Sequence, residues 1–569
     1  MGPPIIEKKG ISGAEAVVLS LLAEGVECVF GYPGGAIMPV YDALYDYRDR
    51  LTHYLVRHEQ GAAHAAQGYA RVKRRAGVCM ATSGPGATNL ITGIADAMID
   101  STPIVCITGQ VGKHLLGTDA FQETDVIGIS MPITKWNYQV TRAEEIPEAI
   151  AKAFYIAQSG RPGPVLIDIT KNAQTEIFDF QYRKCLKIRS YFPKRKVDMN
   201  AIQRAAELLN NAQRPFMLIG QGVVLSGAQA EVQEVAEKAG IPVASTLLGL
   251  SAMSVHHPQY VGYLGMHGNY GPNVLTNQCD VLFAVGMRFD DRVTGRLDCY
   301  AKQAKVIHID IDPAEIDKNV KTEVAIIADA KEALQALLPL LEVKRYPEWM
   351  ARFREYNAIE YEKVISKDFA PNTPLPKMAE VVHLLSQKTK GKAIIATDVG
   401  QHQMMATRYY EFDEPYSNVT SGGLGTMGFC LPASIGAKIG RPDREVIAII
   451  GDGGFQMTMQ ELGVIMQYHI PVKIIVMNNN YLGMVRQWQQ LFFDRRYSNV
   501  DIQNPDFVKI AEAFGIPARR VEKREQLSQA LDELLNSHSA YFLEVMVEKE
   551  DNVFPMVPAG TCIADIRLE

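Results

Sequence analysis

The stretch Val446-Ile447-Ala448-Ile449-Ile450-Gly451-Asp452-Gly453-Gly454 is an unbroken apolar run closed by an acidic, glycine-rich turn. Such a run is the pattern of a strand buried on both faces of a parallel sheet. Over residues 455–468 apolar side chains recur at helical spacing (Met459, Leu462, Ile465, Met466), and Pro471 ends the segment. A second apolar strand, 472–477, then runs into Asn478-Asn479-Asn480. This is one strand–helix–strand unit, so Asp452 and Asn479 are expected at the same carboxyl-terminal edge. If the two strands are neighbours, their ends lie only about 5 Å apart. A carboxylate and a carboxamide at that spacing can share one hard cation of the Mg²⁺ type, which takes oxygen ligands. Gly451, Gly453 and Gly454 are expected to leave bare backbone for two phosphate groups. That edge is where ligands bind in open α/β sheets.

The chain of 569 residues is long enough for three or four domains at about 150 residues each. Its net charge of −6 argues against nucleic acid or an anionic membrane as a general partner. No apolar run is long enough to span a bilayer, and the first ten residues show neither a secretory nor a transit pattern. A cytoplasmic protein is expected. The eight cysteines form no C-x-x-C pair, and most lie in apolar runs, so reduced core residues are expected rather than disulfides.

Strand, turn and helix signals alternate along the whole chain, which predicts an α/β protein of three doubly wound parallel-sheet domains over 1–185, 190–345 and 370–569. In the first, a strand at 28–32 ends in Tyr32-Pro33-Gly34-Gly35, and a strand at 53–56 leads to Glu59 in the first turn of an alanine-rich helix. A carboxylate is favourable there simply through the helix dipole. The strand at 76–82 opens into Ser83-Gly84-Pro85-Gly86-Ala87-Thr88-Asn89 before another helix, the order of a phosphate cradle. In the second, strands at 216–220, 243–246, 281–286 and 306–310 end in Gly220-Gln221-Gly222, Thr246-Leu247, Gly286 through Arg288 to Gly295, and Asp310. No G-x-G-x-x-G follows a strand there, so the residues alone leave a structural and a ligand-binding domain equally open. In the third, the strand at 392–399 ends in Gly400-Gln401-His402, where a satisfied loop residue is the commoner fate of such a histidine. Residues 423–428 formally fit G-x-G-x-x-G, but what precedes them is too short and polar for a first Rossmann strand. They read as a turn before a helix at 429–439.

G-D-G followed one strand–helix–strand unit later by N-N resembles the signature of thiamine diphosphate enzymes, and R-H-E-Q-G-A-A-H with S-G-P-G-A-T-N resembles their pyrimidine-binding domain. G-M-H-G (265–268), R-F-D-D-R-V-T-G (288–295) and H-I-D-I-D-P (308–313) resemble the flavin-binding middle domain of the acetohydroxyacid (acetolactate) synthase catalytic subunits. With P-M-V-P-A-G at 555–560 the resemblance runs from about residue 11 to 560.

The resemblance implies thiamine diphosphate, Mg²⁺ and FAD as cofactors. It implies that pyruvate is decarboxylated and its two-carbon unit joined to pyruvate or 2-oxobutanoate in branched-chain amino acid biosynthesis. It implies a homodimer or homotetramer with sites between subunits, alongside a small regulatory subunit. The implied metal ligands are Asp452, Asn479 and the Tyr481 carbonyl. Glu59, Gln122, Lys171, Arg292 and Trp488 are the implied catalytic set, Glu59 exchanging a proton with the aminopyrimidine and Trp488 limiting the second-substrate pocket. A lone tryptophan is otherwise most often core. Thiamine diphosphate would be held by Tyr32, Pro33, Gly34, Gly35, Pro85, Asn89, Gly400, Gln401, His402, Gly425, Met427, Gly451, Gly453, Gly454, Gly483 and Met484. FAD would meet Gly220, Gly222, Thr246, Leu247, Met266, His267, Gly286, Arg288, Asp290, Val293, Asp310 and Asp329. The tail at 555–560 is expected to fold over the site as a lid. The alternatives are a pyruvate oxidase-type flavin oxidoreductase, a non-catalytic partner subunit and a simple 2-oxo acid decarboxylase.

Overall fold

The computed structural model describes residues 6–569. Three six-stranded sheets follow one another along the chain. The first runs, edge to edge, Thr52–Leu55, Cys28–Gly31, Gly77–Ala81, Ile104–Gln110, Val165–Thr170 and Trp136–Val140. The third runs Asn418–Thr420, Ile394–Thr397, Val446–Gly451, Lys473–Asn478, Tyr541–Met546 and Ala518–Val521. All neighbours in both are parallel. Numbered within their own domains, these two sheets share the strand order 2-1-3-4-6-5. The middle sheet differs: Tyr260–Tyr263, Val243–Ser245, Pro215–Ile219, Val281–Val285, Lys305–Asp310 and Val324–Ile327 give the order 3-2-1-4-5-6, that of a dinucleotide-binding sheet.

Each sheet is buried on both faces. Val446–Ile450 have no exposed surface and divide by alternation between two apolar clusters, one on each side of the third sheet. The central strands were legible for that reason. The strands that sequence reading passes over are mostly edges with half-exposed, polar or aromatic composition: Trp136–Val140, Tyr260–Tyr263, Val324–Ile327 and Ala518–Val521. Tyr541–Met546 is interior, but Glu544 interrupts its apolar run. That carboxylate is buried by accepting from Asn478 Nδ2 at 2.8 Å and Arg520 Nε at 2.7 Å. An antiparallel pair, Ile6–Ser12 with Ile177–Tyr182, also joins the two ends of the first domain.

The predicted helix at 455–468 is broken in two. It starts earlier, as Asp452–Thr458, passes through a 3₁₀ turn at Met459–Glu461, and resumes as Leu462–Tyr468. Thr458 leaves helical geometry (φ −137°) and its hydroxyl donates to the Gly428 carbonyl at 3.1 Å. The polar segment at 418–422 does contain a strand, a three-residue edge one, Asn418–Thr420.

The alanine-rich helix Glu59–Lys73 lies on Cys430–Gly440 of the third domain. A Cβ on Gly68 would meet the Ala433 carbonyl oxygen at 1.9 Å, and one on Gly436 the Ala65 carbonyl oxygen at 1.8 Å. The two backbones therefore touch, and the small residues are required by packing.

The cysteines depart from expectation in one pair. Cys299 and Cys562 are disulfide-bonded with Cα atoms 5.9 Å apart, while the other six are free. Both bonded residues lie in polar segments that only the tertiary fold brings together. Among the described residues, no helix is long and apolar enough to cross a membrane.

A connector helix, Pro347–Glu360, binds the domains together. Its Trp349 Nε1 donates to the Pro215 carbonyl of the middle sheet at 2.9 Å. At its other end Glu360 accepts from Asn269 Nδ2 at 3.0 Å, from the Tyr270 N–H at 2.6 Å and from Arg408 Nη2 of the third domain. The Glu360 and Arg408 side chains are each 1% exposed. Removing one partner of such a pair strands a buried charge. Glu360→Ala should destabilise the protein by about 3–5 kcal/mol, read as a fall in the unfolding midpoint; a loss under about 1 kcal/mol would make the pair a bystander.

Candidate active site

Strands Val446–Gly451 and Lys473–Asn478 are direct neighbours, Gly451 standing opposite Met477. Asp452 and Asn479 therefore leave the sheet side by side, 1% and 3% exposed. Asp452 accepts from Asn504 Nδ2 at 2.7 Å and the Gly453 N–H at 3.0 Å. Burial pushes its carboxyl up to about 6, and no cationic side chain among the described residues offsets that. Asn479 Oδ1 accepts the Tyr481 N–H at 3.1 Å, so the carboxamide is held by the turn that presents the Tyr481 carbonyl. A buried carboxylate lacking a cation, beside a carboxamide and a turn carbonyl, is a donor set that fits Mg²⁺. Asn504, which also donates to Asn478 Oδ1 at 2.9 Å and Asn480 Oδ1 at 3.1 Å, is a residue sequence reading missed. It comes from a loop with no motif of its own.

The glycines of the turn serve the protein as well as any phosphate. A Cβ on Gly451 would lie 2.7 Å from His402 Nδ1, one on Gly454 2.5 Å from Asp398 Oδ1, and one on Gly453 2.8 Å from Leu482 Cδ2. Two of the three thus admit polar neighbours from the adjacent strand end, not empty space. His402 is buried and neutral, its Nε2 has no partner, and burial lowers it to about 3. An unpartnered imidazole nitrogen against the G-D-G turn suits a phosphate oxygen. Asp398, also missed from sequence, accepts the N–H groups of Gly428 at 3.0 Å and Cys430 at 3.1 Å. It anchors the turn carrying Gly425 (φ +71°) and Met427. Gln401 Nε2 is committed to Gln487 Oε1 at 3.0 Å and the Asp551 carbonyl at 2.8 Å. A Cβ on Gly483 would strike Gln401 Oε1 at 2.2 Å.

A cavity of about 1030 Å³ joins this region to the middle domain, large for a small-molecule site. Gly400, Gly425, Met427, Met484 and Trp488 line it from the third domain. Gly222, Thr246, Leu247, Met266, His267, Gly286, Arg288, Asp290, Arg292, Val293, Asp310 and Asp329 line it from the second, at the point where that sheet's strand order reverses. Gly220 does not: a Cβ there would sit 2.4 Å from the Gly286 carbonyl oxygen, so it serves the contact between the two strand-end loops. Arg161, from the first domain, also lines the cavity and pairs with Asp312 and Glu315 at 3.1 and 2.9 Å. No motif announces it.

The remaining predicted residues gather elsewhere. Glu59 accepts from Asn89 Nδ2 at 2.9 Å, with Gly86 pressed beside it. Tyr32 to Gly35 leave the adjacent strand, where Gly34 lies against Thr82, and Pro85 is exposed. Gln122 (φ +60°) packs its backbone on Gly84, and Lys171 is exposed just past strand Val165–Thr170. None of them lines the cavity. Asp452, Asn479, Tyr481, Gln401 and His402 do not line it either, and among the described residues no hydrogen bond joins the Glu59 group to the Asp452 group within one chain.

Three comparisons fit this division. The chain matches the N-terminal TPP binding domain of thiamine pyrophosphate enzymes over residues 11–129, their central domain over 202–337 and their C-terminal TPP binding domain over 398–545. It is 46% identical to the acetolactate synthase isozyme 2 large subunit of Escherichia coli, across 97% of this chain and 98% of that one. The chain belongs to the acetolactate synthase large-subunit family of thiamine pyrophosphate enzymes. A probable acetolactate synthase large subunit of Methanocaldococcus jannaschii is 46% identical over 98% of this chain and 95% of its own. The Corynebacterium glutamicum large subunit is 45% identical over 98% and 90%. As in the other thiamine pyrophosphate enzymes, the cofactor-binding regions of this acetolactate synthase relative are its first and third domains.

The third domain also grips the segment that carries Glu59. Glu461, 1% exposed, accepts the Arg57 N–H through Oε1 at 3.1 Å, and a Cβ on Gly61 would meet it at 2.7 Å. Burial raises its carboxyl to about 7. The folded protein therefore holds this proton to higher pH than the unfolded chain, which releases it near 4.5. The contribution of Glu461 is complete below that value and is lost as pH rises towards 7. In urea titrations from pH 4.5 to 7.5 the wild type should lose up to about 3 kcal/mol that Glu461→Gln retains. Parallel pH profiles for the two proteins would contradict this.

Proposed function

We propose that this chain decarboxylates pyruvate and joins the two-carbon unit to a second 2-oxo acid, giving 2-acetolactate from pyruvate and 2-aceto-2-hydroxybutanoate from 2-oxobutanoate. What carries the reading is the buried Asp452 carboxylate, without a cation of its own, beside Asn479 at the ends of two paired parallel strands. Thiamine diphosphate, when bound, supplies a cationic ring that accepts the electrons left as carbon dioxide departs. Asp452, Asn479 and the Tyr481 carbonyl would hold Mg²⁺ against its diphosphate, with His402 and the turn at 451–454 alongside. Met427 and Gly425 would support the ring system. Glu59 would hold and return the proton at N1′ of the aminopyrimidine.

Among the described residues the Glu59 group and the Asp452 group share no hydrogen bond within one chain, which supports a homodimer or a homotetramer with each site completed by the first domain of a second copy. Gln122 and Lys171 would reach the substrates from that copy. FAD would occupy the cavity at the strand-order reversal of the middle sheet, with Arg288, His267 and Asp310 among the residues that would hold it. Arg292, half-exposed at the cavity, would bind the carboxylate of the second 2-oxo acid, and Trp488 would bound the space for its alkyl group. The tail at 555–560 would keep water from the reacting carbon. The "large subunit" in the relatives' names supports a smaller regulatory partner.

With pyruvate, thiamine diphosphate, Mg²⁺ and FAD, the purified protein should form 2-acetolactate, and omission of thiamine diphosphate or Mg²⁺ should abolish it. Acetate or acetyl phosphate formed at the expense of an electron acceptor would instead establish the pyruvate oxidase reading. Glu59→Gln should slow exchange of the thiamine C2 proton by about 10²–10⁴-fold while Mg²⁺-dependent cofactor binding persists. Unchanged exchange would remove Glu59 from this role.

A further inference from the structure

The C-terminal tail crosses from the third domain to the second and lies on the loop that carries Arg292. The Val557 N–H donates to the Met266 carbonyl at 2.7 Å, and the Arg296 N–H to the Thr561 carbonyl at 2.9 Å. The Pro555 carbonyl lies 3.2 Å from His267 Nδ1. Met556 and Arg567 exchange backbone hydrogen bonds at 2.9 and 2.8 Å, so the tail folds back on itself. Val557, Ile563 and Ile566 enter the middle-domain core. Beneath the tail a second cavity of about 180 Å³ is lined by Met266, Asp291, Arg292, Val557 and Pro558, among others.

The disulfide sits at the far end of this contact. Cys299 closes the Arg292 loop, and its carbonyl is fixed by Asn277 Nδ2 at 3.0 Å, so the loop side is anchored to the domain. Cys562 belongs to the tail and pairs with Gly295 in an isolated antiparallel bridge. Both cysteines are partly exposed, within reach of a dissolved thiol or disulfide. The six free cysteines, apart from Cys185, are buried.

We propose that Cys299 and Cys562 are a reversible oxidation site that fastens the tail to the Arg292 loop. The chemistry is thiol–disulfide exchange with a low-molecular-weight disulfide. One cysteine thiolate attacks that disulfide, forming a mixed disulfide and releasing one small thiolate. The second cysteine thiolate then displaces the other small thiolate and forms the protein S–S bond. Two protein S–H bonds are lost, and the electron pair leaves on the reduced small molecule as two thiols. In the oxidised state the tail cannot leave the loop without breaking a covalent bond. In the reduced state it is held by a few backbone hydrogen bonds and three apolar side chains, and local opening is easier. The tail segment that shares the second cavity with Arg292 is then held tightly or loosely according to the thiol–disulfide balance, whichever reaction the large cavity hosts.

The test uses the full-length protein equilibrated in oxidised or reduced dithiothreitol. Non-reducing peptide mapping should find residues 299 and 562 linked in the oxidised sample, and both should alkylate after reduction. Amide hydrogen exchange at Val557, Arg296 and Arg567 should speed up roughly tenfold or more on reduction, while Phe283 in the middle strand stays unchanged. Cys562→Ser should show the fast exchange in both buffers. Equal tail protection in the two states, or two cysteines that alkylate freely in the oxidising buffer, would overturn the proposal.

Discussion

The structure depends on the parallel pairing of Val446–Gly451 with Lys473–Asn478. That register brings a carboxylate and a carboxamide to one edge, and the surrounding packing then takes both out of water. A buried carboxylate without a positive partner is costly, which is why burial raises Asp452 so far. Asn504 relieves part of that cost and links Asp452, Asn478 and Asn480 of the edge into one network. Strand pairing thus leaves a buried carboxylate at this edge whose burial no cationic side chain among the described residues offsets.

The same logic repeats at the other strand ends. Asp398 accepts the N–H groups of the Gly428 turn, and Gly454 has no side chain so that Asp398 can do so. Glu461 reaches across to the backbone before Glu59, with Gly61 making room. Glu360 gathers two domains onto Arg408. In each case a buried carboxylate is satisfied by backbone N–H groups or a guanidinium from another segment, so these acids fix the relative positions of strand ends and domains.

The middle domain explains why one fold type recurs with different duties. Its strand order reverses between Pro215–Ile219 and Val281–Val285, and the loops there are glycine-lined and in contact. The large cavity opens at that reversal and extends to the thiamine-type turn of the third domain. Arg292 and Trp488 face the same space from different domains. The tail, fastened through Cys562, lines a second cavity together with Arg292.

The sequence alone determined the central strands, because a strand buried on both faces must be apolar throughout, and it determined the G-D-G and N-N strand ends through their spacing. It also disclosed the alanine-rich helix. Apart from Thr52–Leu55 it did not disclose the edge strands, whose one exposed face makes their composition ordinary, nor Asn504, Asp398, Glu461 and Arg161, which act through contacts far along the chain. Only the tertiary structure decided that two of the turn glycines face His402 and Asp398, that Cys299 meets Cys562, and that Glu59 is held by Asn89 while Asp452 is held by Asn504. The physical reason is common to all of these: local sequence specifies what a segment buries, whereas the partner it is buried against is chosen by packing.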